Sequence, residues 1–334
     1  MVGTRALILI LTRQCNLRCS YCPTAKEGWP VLTTSTIDAS IELFLSLYGQ
    51  GQIKLFGGEP FLEPTLIRYV LEKVKEERRI DKVYVSTNGL GLNQEWMDYF
   101  KSYPKAILTI SLDGKPQDHR RMRRAISTDI PDCYDHVVSL LPQLLEIPRL
   151  VITQTIAPAT AKNAHENFRH LRELGFLRFN FLPGYFIPWK EEQLQALREN
   201  FQKIAADIIQ DWQNGNFFYV RNLFIHAPTP FFNQGLIVDC DKTIHPSNLG
   251  LSSSLQELLG KTAVGTIDNP PDLQTLEEKG LQINQMLQEF VSEKVWRSTL
   301  RADQELTTFC EMLFPHFLRY KKRKKIQLLK RNST

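Results

Sequence analysis

Short apolar runs alternate with longer amphipathic stretches over the first two-thirds of the chain, and that rhythm limits the folds open to it. Six runs, at 6–12 "ALILILT", 52–56 "QIKLF", 82–87 "KVYVST", 106–112 "AILTISL", 149–156 "RLVITQTI" and 177–182 "LRFNFL", are rich in Ile, Val and Phe. Their length and composition fit strands buried on both faces of a parallel sheet. Helix-length segments lie between them at 34–49, 64–79, 93–102, 131–147 and 160–174, with a sixth at 190–213. Thr33, Ser35 and Asn93 stand where helices begin, and Gly175 stands at a C-cap. Consecutive β–α units imply parallel strands joined by right-handed crossovers. Eight units would close a barrel; six leave it open. The expectation is an α/β fold, a partial (β/α)6 barrel whose reactive face is built from the loops after the strands.

The texture changes near residue 214. "QNGN" (213–216) reads as a turn, "FFYVRNLFI" (217–225) as a strand, "APTPFFNQG" (227–235) as a loop and "LIVDCDKTIHPSN" (236–248) as a hairpin. A helical region over 273–330, interrupted near Pro315, closes the chain. The expected division is a main domain at 1–214 and a small α+β C-terminal module at 215–334.

Charge is distributed unevenly. The net charge is +5, but "RYKKRKKIQLLKRNST" (319–334) carries eight Lys/Arg and no acid, so residues 1–318 sum to 5 − 8 = −3. The tail reads either as a solvated helix end or as a contact for RNA, an acidic peptide or an anionic surface. The longest early apolar run, "ALILIL" at 6–11, is too short for a membrane span or a signal peptide. A cytoplasmic protein with no membrane partner is expected.

Six cysteines in 334 residues are too sparse for a disulfide scaffold. Three of them, Cys15, Cys19 and Cys22, crowd into "TRQCNLRCSYCPT" (12–24), directly after the first apolar run. Three thiolates can hold three irons of a cubane iron–sulfur cluster and leave the fourth iron open to an exogenous ligand. An open position is what separates a reactive metal centre from a structural one. Zinc would need a fourth protein ligand, and the next cysteine is Cys133. Inert buried thiols are the third reading.

The Cys-x3-Cys-x2-Cys spacing resembles the signature of the radical S-adenosylmethionine (radical SAM) superfamily. Asn16 and the aromatic Tyr21 before the last cysteine fit it too. "GGEP" (57–60), "STNG" (86–89) and "SLDG" (111–114) follow the second, third and fourth strand candidates, in the family's order. The resemblance implies one 4Fe–4S cluster on Cys15, Cys19 and Cys22, with S-adenosylmethionine chelated to the open iron. Reductive cleavage would yield methionine and a 5′-deoxyadenosyl radical that abstracts hydrogen from the substrate. An electron donor such as flavodoxin or ferredoxin is implied. The cofactor carries the chemistry, and the protein orients it and excludes solvent. By the same resemblance Gly57 and Gly58 allow close backbone approach. Glu59 faces the methionyl amine, and Pro60 stiffens the turn. Thr87 and Asn88 lie near the cofactor, Ser111 and Asp113 meet the ribose, and Tyr21 and backbone at 179–184 pack near adenine. Turn chemistry is the alternative for Asn88 and Ser111. Arg78 and Arg124 are read as surface charges.

"SLDGKPQDHRRMR" (111–123) is similar to a stretch of the branch containing anaerobic sulfatase maturases and peptide-modifying enzymes. It implies Arg123 as partner of the methionyl carboxylate. His119 is open between a structural and a functional role. Lys115 and Arg120 depart from that pattern. The 236–248 hairpin looks like that of the SPASM extension, which binds auxiliary clusters, but Ser247 stands where a cluster cysteine would be. Cys133, Cys240 and Cys310 are too scattered to match its ligand set. The expectation is a degenerate SPASM-like module, with an auxiliary cluster completed by His245 or Asp239 as the alternative. The reading of function is modification of a ribosomally made peptide or protein. A small metabolite or RNA nucleoside is the alternative substrate, and a non-catalytic iron–sulfur sensor the remote one. Any of Cys133, Cys240 and Cys310 could supply a hydrogen atom, and nothing in the sequence selects one.

Overall fold

A computed structural model describes residues 5–22, 24, 26, 28–224, 235–247 and 261–331. The first apolar run is β1 (Ala6–Thr12), buried along its whole length. β2 (Leu17–Cys19) follows, then α1 (Thr34–Tyr48), where Thr33 Oγ1 accepts from Thr36 N and so caps the first turn. β3 (Gly51–Gly57), α2 (Pro64–Lys73), β4 (Ile80–Thr87), α3 (Gln94–Ser102), β5 (Ala106–Ser111) and α4 (Pro116–Met122) continue the alternation. Asn93 Oδ1 caps α3 by accepting from Trp96 N. Next come β6 (Arg123–Ala125), α5 (Cys133–Ser139), α6 (Leu141–Leu145), β7 (Leu150–Ile156), α7 (Ala164–Glu173), β8 (Arg178–Pro183) and α8 (Glu191–Gln213). The C-terminal part supplies β9 (Tyr219–Val220), β10 (Gly235–Val238), β11 (Thr243–His245), β12 (Gly265–Thr266), α9 (Leu273–Phe290) and α10 (Glu293–Arg331).

Ten strands form one sheet in the order β12-β11-β10-β1-β3-β4-β5-β7-β8-β9. Every pairing from β10 to β9 is parallel, and β11 and β12 extend the β10 edge antiparallel. Among the described residues the two edges, β9 and β12, do not pair, so the barrel is open. The fold is the expected α/β partial barrel. Its two faces are read from alternation along each strand. Leu7, Leu9 and Leu11 join the large core beneath the helices, whereas Ile8 and Ile10 pack with Ile237 on the concave side. α10 lies along α8, with the rings of Phe201 and Phe309 stacked at 4.8 Å and Arg198 gripping Glu305 through Nε and Nη2.

Four expected elements differ. The 64–79 helix stops at Lys73, and a helix over 131–147 is split into α5 and α6, with Pro142 in the first turn of α6. The strand expected at 217–225 is only β9 before a 3-10 turn, Arg221–Phe224. Pro315 does not interrupt the last helical region; the break falls between α9 and α10. Pro315 is exposed, so the main-chain bond it forgoes lies on the solvent side, while Leu313 and Phe317 stay buried. The 236–248 hairpin is present as β10 and β11, and the 227–235 loop lies outside the described residues apart from Gly235. No helix among the described residues is long and apolar enough to cross a membrane.

Candidate functional site

The cysteine loop leaves the C-terminal end of β1 and is pinned on both sides. On one side β2 pairs with β6, which sets Cys19 opposite Arg123, and Ser20 N donates to Met122 O at 2.9 Å. On the other, Gly58 N donates to Thr12 O and Glu59 N to Gln14 O, both at 2.8 Å. A Cβ on Gly58 would stand 2.0 Å from Gln14 O and 2.3 Å from Arg13 O, and one on Gly57 would stand 2.1 Å from Thr12 O. These glycines are demanded by the main chain of the cysteine loop itself. Two carbonyls cannot swing aside as a flexible side chain would. Gly58→Ala is therefore expected to cost at least about 1–3 kcal/mol and to lower the thermal midpoint and iron loading together. Wild-type values of both in that variant would contradict the close packing.

Glu59 is buried and ties three segments together. Its Oε1 accepts from Thr87 Oγ1 at 2.7 Å and Phe61 N at 3.0 Å, and its Oε2 accepts from Asn88 N at 2.7 Å. Burial raises its carboxyl above the usual range, and these donors work the other way. Thr87 Oγ1 also accepts from Gly89 N at 2.9 Å. Asn88 makes the turn given as its alternative role by accepting from Leu90 N, and it donates to Asn16 Oδ1 at 2.7 Å, joining this loop to the cysteine loop. Pro60 opens a short 3-10 turn. Both Glu59 oxygens, expected by resemblance to face the methionyl amine, accept from donors of the protein itself.

Asp113 and Arg123 find each other. Arg123 Nε donates to Asp113 Oδ2 at 3.0 Å and its Nη2 to Oδ1 at 3.1 Å, a bidentate pair with both side chains nearly sealed from solvent. Tyr21 Oη donates to the same Oδ2 at 2.7 Å, Thr155 N donates to Oδ1 at 3.2 Å, and the guanidinium lies 5.3 Å from the centre of the Tyr21 ring. Asp113, expected at the ribose, and Arg123, expected at the methionyl carboxylate, are thus joined to each other. Arg123 Nη1 points instead to Cys19 Sγ at 3.9 Å. His119 Nδ1 accepts from Asp113 N at 3.3 Å, and burial holds the imidazole down to about 4. Arg120 earns its departure from the pattern by docking α5 through Asp132 and Asp135. Lys115 pairs at the surface with Glu166, and Arg78 and Arg124 are exposed as expected. Ser111 is half-buried at the end of β5, and its hydroxyl bonds no described residue.

Sequence reasoning missed two contributors. Cys133 Sγ donates to Asn88 O at 2.9 Å, which brings it, alone among the three outlying cysteines, against these loops. Burial pushes the thiols of Cys133, Cys240 and Cys310 each up to about 12. Arg13, two residues before Cys15, is fully buried and paired with Asp239 of the hairpin, and the Trp29 ring covers its guanidinium at 3.7 Å. Asp239 is thereby committed to Arg13. His245 Nδ1 bonds Thr262 Oγ1 at 3.0 Å.

The cysteine loop fits an iron–sulfur cluster. Leu17 N donates to Cys15 Sγ at 3.4 Å, and the Arg123 contact reaches Cys19, the kind of N–H donors that tune cluster sulfurs. Burial raises the Cys15 thiol and pushes the Cys19 thiol up to about 11, so thiolates here call for bound cations. Among the described residues no three His, Cys, Asp or Glu side chains gather closely enough to share a single ion.

Comparison with known proteins agrees. The model of the Radical SAM superfamily matches residues 9–199, a span that holds the three clustered cysteines and the "GGEP", "STNG" and "SLDG" stretches. GTP 3',8-cyclase 1 of Mycobacterium tuberculosis (strain ATCC 25618 / H37Rv) is 34% identical over 121 residues, covering 34% of this chain and 33% of that protein. GTP 3',8-cyclase of Chlorobaculum tepidum is 31% identical over 151 residues, covering 43% and 42%. The chain thus spans less than half the length of these curated relatives. Native anSMEcpe with bound AdoMet superimposes with a TM-score of 0.72 at 15% identity, over 95% of this chain and 99% of that one. Streptococcus suis SuiB bound to precursor peptide SuiA gives 0.60 at 15%, over 83% and 64%. At such identities the structural likeness establishes the fold. With more than half of the chain matched and the cysteine loop shaped for iron, the chain belongs to the Radical SAM superfamily, as an enzyme whose cofactors are a 4Fe–4S cluster and S-adenosylmethionine.

Proposed function

We propose that this enzyme abstracts hydrogen from a small-molecule substrate rather than from a ribosomal peptide. When bound, the cluster and S-adenosylmethionine supply the electron and the hydrogen-abstracting radical. Cys15, Cys19 and Cys22 hold the cluster. The loops of Gly57–Pro60, Thr87–Asn88 and Ser111 form the rim that seats the cofactor, and the trio Asp113, Arg123 and Tyr21 fixes the third side. The observation that carries the substrate reading is sequence identity of 31–34% to GTP 3',8-cyclases, against 15% to the structures that hold peptides. The peptide reading keeps support from the fold: anSMEcpe with bound AdoMet and Cp18Cys peptide matches 95% of this chain, and SuiB bound to precursor peptide SuiA 83%.

Residues 1–214 serve as the catalytic barrel and 215–334 as a metal-free, SPASM-like module. The β10–β11 hairpin, the commitment of Asp239 to Arg13 and the His245–Thr262 bond support that assignment. Reconstituted protein is expected to hold about four irons per chain, unchanged in Cys240→Ala. About eight irons, or loss of iron in that variant, would contradict a metal-free module. For the substrate, anaerobic enzyme is reduced in the presence of S-adenosylmethionine and offered deuterated nucleotides, other phosphorylated or carboxylated metabolites, and deuterated peptides. Deuterium entering 5′-deoxyadenosine from a small molecule is the expected result. Transfer from peptides alone would overturn the proposal.

A further inference from the structure

The concave side of the sheet carries a feature the cofactor does not need. Ile53, Leu55, Val83, Val85, Phe179 and Val220 all join the core beneath the helices, so the alternate residues Lys54, Tyr84, Arg178 and Tyr219 face the other way. Lys54 is in register with Ile8 on one side and Tyr84 on the other. Arg221 opens the 3-10 turn after β9, and its guanidinium lies 4.3 Å from the centre of the Tyr84 ring. β9 and β4 are separated by β5, β7 and β8 in the sheet, so only the curvature of the barrel brings this arginine across to that tyrosine.

The arginine is held in place. Next to it, Asn222 Oδ1 accepts from Phe181 N and Asn222 Nδ2 donates to Phe181 O, both at 2.9 Å, which fastens the turn to β8. The Arg221 guanidinium has five N–H donors, yet among the described residues it bonds none of the protein's acceptors and packs on the Tyr84 ring face. Lys54, Tyr84 and Arg221 are each half-buried. Burial and the charge of Arg221 hold the Lys54 ammonium down to about 8, and burial also lowers Arg221. A barrel floor built only to fill space uses branched apolar side chains. This one places Lys54 in register with Tyr84 and Arg221 over the Tyr84 ring, with Thr109 and Ser111 on the same face.

We propose that Arg221 and Lys54 form an oxyanion subsite on the concave face, which takes a phosphoryl or carboxylate group of the substrate while its reacting carbon lies toward the cysteine loop. The subsite deepens the small-molecule reading and rests on it. A guanidinium fork binds such groups through paired N–H donors, and the neighbouring ammonium adds charge.

The test is calorimetric titration of the cluster-reconstituted enzyme, saturated with S-adenosylmethionine, with inorganic pyrophosphate in one arm and succinate in the other. Binding of at least one probe is expected, weakened about tenfold or more in Arg221→Gln and less in Lys54→Met. Arg221→Lys, which keeps charge but loses the fork, should fall between wild type and Arg221→Gln. Each variant is compared at matched iron content, and Lys54→Met carries the test if Arg221→Gln does not load iron. Pyrophosphate alone assigns a phosphoryl group and succinate alone a carboxylate. Silence with both probes, or equal affinity in wild type and variants, would overturn the subsite. Peptide turnover with a probe still bound through Arg221 would overturn the small-molecule reading and uphold the subsite.

Discussion

Alanine in place of Cys15, Cys19 or Cys22, one at a time, is expected to take iron loading and S-adenosylmethionine cleavage to the detection limit. Each thiolate holds one corner of the cluster, and the loop offers no understudy. Cys133, though near Asn88, is buried with its thiol engaged on a main-chain carbonyl. Among the described residues no further group of three potential ligands stands ready to take over. The fold itself should survive, because the three cysteines are only partly buried and lie beyond the end of β1, outside the apolar core. Circular dichroism, iron assay and chromatography of 5′-deoxyadenosine on the same samples separate loss of the cluster from loss of structure. Cys310→Ala is the control, expected to keep its iron. A Cys19→Ala protein with full iron and wild-type cleavage would remove the basis for the site.

How much of this was legible in the sequence depends on the range of the interactions. The strands were plain because a run such as Ala6–Thr12 is apolar throughout and every residue of it is buried. Thr33 and Asn93 marked helix starts because a cap acts within three residues. β2 and β6 were invisible: three residues carry no readable period, and their pairing depends on segments about a hundred residues apart. Pro315 misled because a local rule met a long packed seam, in which Phe309, Leu313 and Phe317 hold α10 against its neighbours. At the site, the motifs named the residues but not their partners. Asp113, Arg123 and Tyr21 were each marked for the cofactor, yet in the fold they satisfy one another. Glu59 follows the same logic, since a buried carboxylate is stable only where donors converge on it.

Asp239→Ala is expected to destabilise the protein by about 3–5 kcal/mol, the usual effect of stranding one member of a buried ion pair. Against typical domain stabilities of about 5–15 kcal/mol, that is a large share. Neither side chain has any solvent exposure. Arg13 Nε donates to Asp239 Oδ1 at 3.1 Å and Arg13 Nη2 bonds Oδ2, while Arg13 Nη1 already lacks a partner. Among the described residues, removing the carboxylate leaves the guanidinium with no acceptor and the Trp29 ring against it. The damage should travel to the cluster, because Arg13 lies two residues before Cys15 and its carbonyl abuts Gly58. Thermal midpoint and iron loading are therefore expected to fall together. Replacing both partners, Arg13→Met with Asp239→Leu, removes the stranded charge and should restore much of both, and the double-mutant cycle isolates the coupling between them. Recovery of the midpoint without recovery of iron would mean that the hairpin does more than stabilise: the ion pair itself would then set the loop geometry that iron requires. An unchanged midpoint in Asp239→Ala would instead show that Arg13 finds another acceptor, and that the C-terminal module does not brace the cysteine loop.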